Sequence, residues 1–248
     1  MNGSLQGLIV CRHFLEDPVL GAIAALETGQ PASGAKQHIA ATLIERAEKL
    51  GLKGNLLSSY ILYLLADGQM ESAAAIERAG RAGAGLIAGM AIDMAILWPY
   101  LTQPASVFLD LALLDAYEPS LPRTYDHVEV LTATLKNCTG ATAAASALAA
   151  HYAAYGRGQL ARFQAFRLDE AGELQGIRDF PDLSWDDLIG YAAQKERLLE
   201  NTRAFVQGGR ANNALLTGAR GTGKSTAVKS IILPPRFLYL KATLPITC

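Results

Sequence analysis

Cysteine and excess charge are both scarce in this chain of 248 residues. Its three cysteines, Cys11, Cys138 and Cys248, are far apart and odd in number, which excludes a disulfide framework and metal-ligand spacing. Lysine and arginine total 22 against 23 acidic residues, so the formal net charge is −1. Such a balance provides no field to attract nucleic acid or an anionic membrane. We expect a cytoplasmic protein with neither partner.

The amino terminus lacks a basic segment before its short apolar run, and Arg12 ends that run, so no signal peptide is expected. The stretch from Ala84 to Leu101 is mostly apolar and almost long enough to cross a bilayer. It contains Asp93 and Pro99, and its glycines and alanines are weakly hydrophobic. A buried core helix is therefore favoured over a membrane span.

Ionisable residues in the amino-terminal part do not form a recognisable site. His13, His38, His127 and His151 are scattered, with no second ligand three or four positions away. Asp93 inside an apolar helix is either a functional acid or a core residue with hydrogen-bond partners, and the second reading is favoured. None of these residues is assigned a role.

Half of the residues are apolar, and from Leu5 to about Tyr155 they are rich in alanine and leucine and divided by short breakers. Between the breakers lie segments of helical length, one of which carries an amphipathic stripe from Ile39 to Leu50. The sequence predicts a mainly α amino-terminal helical bundle, residues 1–156. The predicted breakers are Asp17-Pro18, Gly29-Gln30-Pro31, Gly51 to Gly54, Asp67-Gly68, Trp98-Pro99, Glu118-Pro119 and Leu121-Pro122.

The character changes after Gly156, where residues 157–184 suggest a β-hairpin and an aspartate-rich linker. A second domain, residues 185–248, is expected to follow. Within it we predict a helix from Tyr191 to Gln207, and then a short buried strand from Asn213 to Thr217 that leads into Gly218.

Residues 218–225 match the phosphate-binding pattern G-x-x-x-x-G-K-[ST] at every fixed position, and Thr226 follows. A loop that wraps phosphates must point successive backbone N–H groups inward, and glycine permits the backbone angles that this requires. The competing reading is a glycine-rich surface turn. The proposed nucleotide-binding residues of the loop are Gly218, Ala219, Arg220, Gly221, Thr222, Gly223, Lys224, Ser225 and Thr226.

The side chains at the end of the motif have distinct expected roles. Lys224 would reach the β- and γ-phosphates of ATP, and Ser225 would give its hydroxyl to Mg²⁺, a cation that prefers oxygen ligands. Thr226 would support the loop or touch the α-phosphate, and Arg220 would be solvated. The expected cofactors are ATP and Mg²⁺.

Trp185 to Tyr191, Gln194-Lys195-Glu196, Asn212 to Leu216 and the Gly218 loop together resemble the opening of an AAA-type ATPase module. The chain is similar to an uncharacterised bacterial group that places a helical region before a single AAA domain. The resemblance is close from Trp185 to about Ile232 and architectural elsewhere. It implies an α/β P-loop NTPase fold, ATP hydrolysis in the full-length protein, ring oligomers, and an adenine pocket lined by Ile189 and Gly190. Simple core packing is an equal reading for Ile189.

This chain departs from the AAA pattern after the loop. No Asp or Glu occurs from Thr226 to Cys248, so the acidic second strand that orients Mg²⁺ and activates water is missing. Pro234-Pro235 also ends the helix after the loop early. We interpret the sequence as a truncated or frameshifted form in which the α/β domain is incomplete and hydrolysis is doubtful.

Two functions follow. The first is ATP binding by an AAA-type module that acts on an unknown protein partner. The alternative is a non-enzymatic helical interaction module with a vestigial nucleotide loop, and a small P-loop kinase is a weaker third reading.

Overall fold

The computed structural model describes residues 3–29, 34–163, 165–177, 185 and 188–231. It divides the chain into two compact units, Met1–Arg162 and Phe163–Cys248. The division falls within residues 157–184, the predicted β-hairpin and linker. Most of the predicted linker and the entire predicted proline-broken tail lie outside the described residues.

The named elements of the first unit are all helices among its described residues, which confirms the predicted mainly α class. Short 3-10 turns at Leu5–Gly7 and Arg12–Glu16 precede its first α-helix, and another at Ala112–Leu114 lies between two later ones. The α-helices are α1 (Pro18–Glu27), α2 (Ala35–Leu50), α3 (Leu56–Asp67), α4 (Glu71–Ala79), α5 (Ala84–Thr102), α6 (Ser106–Leu109), α7 (Asp126–Lys136), α8 (Ala141–Tyr155) and α9 (Gln159–Arg162).

Several predicted breakers set the helix ends. Asp17 caps α1, because its side chain accepts hydrogen bonds from the N–H groups of Val19 and Leu20, and Pro18 occupies the first helical position. Gly51 ends α2 with φ +72°, and a Cβ there would meet the Arg123 nitrogen at 2.5 Å. Only glycine fits that position without displacing the neighbouring chain.

The core is built around α5, which packs against α3 and α8. Its buried residues include Met90, Met94 and Leu97. Within the described residues, α5 is the one helix that could cross a membrane by its length and composition. Here one face of it lies in the hydrophobic core.

Asp93 of α5 is only 1% exposed, yet both oxygens of its carboxylate accept hydrogen bonds. Oδ1 accepts a hydrogen bond from the Ile9 N–H at 2.8 Å, and Oδ2 accepts from Val10 and Cys11 at 2.8 and 2.6 Å. A buried carboxylate is tolerated when hydrogen bonds replace its water. The favoured reading of Asp93 as a core residue with partners is therefore confirmed: it holds the amino-terminal segment against α5.

The predicted break at Trp98-Pro99 is wrong, because α5 continues through Pro99 to Thr102. Proline removes one N–H donor, but here it lies in the last turn, where little helix remains to be interrupted. The carbonyls at this end have other donors: Ser58 Oγ donates to the Leu101 carbonyl and Asn55 Nδ2 to the Gln103 carbonyl.

The second unit contains four described elements. Strands β1 (Phe166–Leu168) and β2 (Leu174–Gly176) pair antiparallel in the segment where the sequence suggests a hairpin. Asp169 fixes the turn, since its Oδ1 accepts from the N–H groups of Ala171 and Glu173. Helix α10 (Ala192–Val206) confirms the predicted helix, and α11 (Lys224–Ser230) follows the glycine-rich loop.

Candidate functional site

The segment that enters the glycine-rich loop is not a strand. Residues 213–217 belong to no β-ladder among the described residues, and Leu215 is 88% exposed. The prediction of a buried strand here is therefore wrong for the described part of the chain. The physical reason is the lack of a neighbour, because a strand needs a paired backbone and a face to cover its apolar side chains.

The Asn201 side chain of α10 binds the backbone of Asn212, just before this segment. The Asn201 Oδ1 atom accepts from the Asn212 N–H at 2.9 Å, while Asn201 Nδ2 donates to the Asn212 carbonyl at 2.8 Å. The amide of Asn201 thus satisfies both backbone groups of Asn212, as a neighbouring strand would.

Three glycines shape the loop between this segment and α11. Gly218 has φ +152°, Gly221 φ +84° and Gly223 φ +76°. These are conformations that side-chain-bearing residues rarely adopt, so the glycines of the motif stand where the backbone requires them.

The loop exposes a run of backbone donors. None of the well-formed hydrogen bonds between described residues has an N–H group of residues 219–226 as its donor, and the first backbone bond beyond them runs from Ala227 to the Gly223 carbonyl. Consecutive N–H groups that are left free in this way and are followed by a helix suit the binding of an anion.

Lys224, the first residue of α11, folds its side chain back over this loop. Its Nζ donates to the carbonyls of Gly218 at 2.9 Å and Ala219 at 2.7 Å, and lies 3.3 Å from Thr222 Oγ1. Thr222 in turn donates to the Ala219 carbonyl. The ammonium therefore lies at the loop, where an anion bound by the N–H groups would meet it.

The remaining loop residues are open to solvent or half-buried. Ala219, Arg220 and Ser225 are exposed, Thr226 is half-buried, and none of the four side chains makes a hydrogen bond to a described residue. Within the described residues, no group of three or more His, Cys, Asp or Glu side chains could hold a metal. Binding of Mg²⁺ at Ser225 would therefore depend on phosphate oxygens and water as the other ligands.

The segment proposed as the adenine side lies next to the loop. A Cβ atom at Gly223 would be 3.2 Å from Leu188 Cδ2, so the Leu188 side chain packs against the loop. The next residue, Ile189, is 94% exposed, and Gly190 has φ +85°. Core packing, the other reading of Ile189, does not hold here. The structure thus brings Leu188, the residue before Ile189, to the glycine-rich loop, and the adenine-side role of Ile189 and Gly190 stays a prediction.

Lys195 lies in the segment that resembles an AAA-type module, but the sequence alone assigns it no function. Its Nζ donates to the carbonyls of Trp185 at 3.0 Å and Leu188 at 2.8 Å, and lies 5.5 Å from the centre of the Trp185 ring. A lysine in the first turn of a helix is unfavourably placed relative to the helix dipole. That placement is the one sequence signal that could have identified it.

One family model matches the chain, over residues 161–238, and its description is "Protein of unknown function (DUF815)". The match covers less than a third of the 248 residues and contains the hairpin, α10, the glycine-rich loop and α11. No curated protein and no solved structure matches the chain. The family description names no activity, so the AAA-type resemblance stays a prediction.

Proposed function

We propose that the second unit binds Mg-ATP through residues 218–226. The observation that carries this proposal is the run of N–H donors at residues 219–226 that make no well-formed hydrogen bond to a described residue, with the Lys224 ammonium folded onto the same loop. Donors fixed by the backbone favour a multiply charged oxyanion such as a triphosphate.

Each motif residue has a role in this proposal. Gly218, Gly221 and Gly223 allow the loop backbone to approach the phosphates, and Lys224 exchanges its loop carbonyls for β- and γ-phosphate oxygens. Ser225, whose hydroxyl is exposed, binds the Mg²⁺ that bridges those phosphates. Ile189 and Gly190 lie on the adenine side.

The wider proposal is that this unit belongs to an AAA-type ATPase of the cytoplasm that acts on a protein partner. Its support is the sequence resemblance and the position of Leu188 against Gly223. Hydrolysis is not included, because the residues from Thr226 to Cys248 contain no acid to activate water.

Calorimetry and thermal unfolding with Mg-ATP test this function. We expect binding with one nucleotide per chain, and a stabilisation of the second unit of about 2.7 kcal/mol at a hundredfold excess over Kd. Lys224→Ala should abolish both effects, and Ser225→Ala should remove the dependence on Mg²⁺. Lys229→Ala is the matched control, because Lys229 is an exposed lysine of the same helix that makes no hydrogen bond to a described residue.

A second candidate is a non-enzymatic interaction module with a vestigial loop. The observation that favours it is the unpaired segment before the loop, where Leu215 is almost fully exposed. Under this reading the wild type and Lys224→Ala would melt at the same temperature with and without Mg-ATP. Retention of partner binding by residues 1–162 alone would then locate the function in the helical unit.

A further inference from the structure

A strained turn connects the proposed adenine side to α10. Gly190 and Tyr191 both have positive φ, +85° and +54°, and α10 begins immediately after them. A tyrosine in the left-handed region costs on the order of 1–2 kcal/mol, so this turn persists only if its surroundings hold it.

The Lys195 side chain binds the chain before that turn. Its ammonium donates to the Leu188 carbonyl at 2.8 Å, while its backbone N–H makes the ordinary helical hydrogen bond to the carbonyl of Tyr191, the last residue of the turn, at 2.9 Å. The same ammonium also reaches the Trp185 carbonyl and approaches the Trp185 ring. The Lys195 side chain therefore holds the segment that leads into Ile189 and Gly190, and its backbone belongs to the helix that follows them.

The fixed segment is also the one that touches the loop. Leu188, whose carbonyl accepts from Lys195, places its side chain against Gly223. Ile189 follows with 94% of its surface exposed, an apolar side chain available to the flat face of a base. Lys195 itself makes no described contact with residues 218–226.

We infer that Lys195 is a positioning residue for nucleobase recognition: it holds Leu188 and the Ile189–Gly190 turn beside Gly223, so that the base is bound at this turn while the loop binds the phosphates. The inference rests on the proposed function. It separates two parts of nucleotide affinity, a phosphate part that depends on Lys224 and a base part that depends on Lys195.

Lys195→Met tests the separation, because methionine keeps an unbranched apolar stem and removes the ammonium. Affinities for Mg-ATP and for magnesium tripolyphosphate, which has the phosphates without a base, are measured by calorimetry on the full chain. We expect Lys195→Met to weaken ATP binding by about tenfold and to leave tripolyphosphate binding within about twofold of the wild type. Lys195→Arg, which keeps the positive charge and its donors, should restore most of the ATP affinity.

Controls distinguish this inference from its alternatives. Lys224→Ala should weaken the binding of both ligands. Lys229→Met, which removes an equal charge from the same unit, should leave the ratio of the two affinities unchanged. Gly190→Ala distorts the turn by a different route, because alanine disfavours φ +85°, and should reproduce the loss of ATP affinity alone.

Equal weakening of ATP and tripolyphosphate by Lys195→Met would overturn the inference, since Lys195 would then support the loop or the fold. Unchanged ATP affinity would overturn it as well. Should tripolyphosphate bind too weakly to measure, ATP is compared with GTP, CTP and UTP, and Lys195→Met must reduce the preference among them. A wild-type chain that binds no nucleotide would contradict the proposed function itself, a result distinct from all of these.

Discussion

The helical unit and the loop-bearing unit hold their polar groups by different means. In the first unit, buried residues from eight of its α-helices share one core, and the buried Asp93 carboxylate accepts hydrogen bonds from three backbone N–H groups. In the second unit, Leu199 and Ser230 are the buried residues among those described, while Ile189 and Leu215 are 94% and 88% exposed.

In the described part of the second unit, where few residues are buried, several side chains bind the backbone instead. Lys195 holds two carbonyls, Asn201 holds both groups of Asn212, and Lys224 holds two loop carbonyls. Such local contacts fix a loop or a turn without the apolar burial that stabilises a whole domain. The comparison implies that changes in the first unit act on global stability, whereas changes in the second act on local geometry and ligand affinity.

The largest expected effect is that of Asp93→Ala in the first unit. The change leaves the N–H groups of Ile9, Val10 and Cys11 without an acceptor in the protein interior. We expect the free energy of unfolding to fall by about 4 kcal/mol, which urea denaturation followed by circular dichroism would measure.

Asp110→Asn is the matched control for Asp93. The Asp110 side chain is 75% exposed and pairs with Lys36 at the surface, and its backbone has φ +56°, which asparagine tolerates. Its loss should cost less than about 1 kcal/mol. Equal costs for the two variants would mean that the buried carboxylate does not hold the amino-terminal segment.

The next effect in size is acid destabilisation by two buried histidines. His127 and His151 are 2% and 5% exposed, with ring centres 6.3 Å apart, and His127 Nε2 has no hydrogen-bond partner among the described residues. Burial lowers the pKa of each from 6.5 to about 4, and at His151 the neighbouring His127 adds to the effect.

The sign of this effect follows from proton binding. Between pH 6.5 and 4 the unfolded chain binds protons at these imidazoles that the folded chain does not, so the free energy of unfolding decreases as the pH falls. From pH 7 to pH 5 each histidine should contribute a loss of about 2 kcal/mol. Chemical denaturation at a series of pH values would measure it.

Single substitutions assign the pH effect to its residues. His127→Gln and His151→Gln should each reduce the slope of stability against pH in this range, whereas His38→Gln, at an exposed position of α2, should leave it unchanged. A slope that survives in both buried-site variants would place the acid sensitivity elsewhere.

The sequence predicted the first unit better than the second for a physical reason. Helices are local, so capping residues such as Asp17 and Gly51 and the apolar spacing of α2 predict them directly. Pro99 was misjudged because its effect depends on how much helix follows it. The buried state of Asp93 could be suspected, but its partners lie more than 80 positions away in the chain.

In the second unit, the motif predicted where positive φ values occur, at Gly218, Gly221 and Gly223. It did not predict that the segment before them would lack a paired strand, because pairing depends on a neighbouring chain and not on local pattern. The sequence also could not predict the hydrogen bonds of the Lys195 side chain. Its two side-chain acceptors are main-chain carbonyls, which leave no mark on the identity of the residues that carry them.

The smallest expected effect tests the local character of the second unit. Asn201→Ala removes the side chain that satisfies both backbone groups of Asn212, and should cost about 1 kcal/mol in that segment alone. The Asn212 N–H should then exchange with solvent deuterium about fivefold faster, while the unfolding of the helical unit stays unchanged. Asn213→Ala is the control, because Asn213 is exposed and makes no hydrogen bond to a described residue.

Unchanged exchange at Asn212 would show that the segment is held by something other than Asn201. A fall in the stability of the helical unit would contradict the separation of local from global effects, because a contact confined to the second unit would then be coupled to the core of the first.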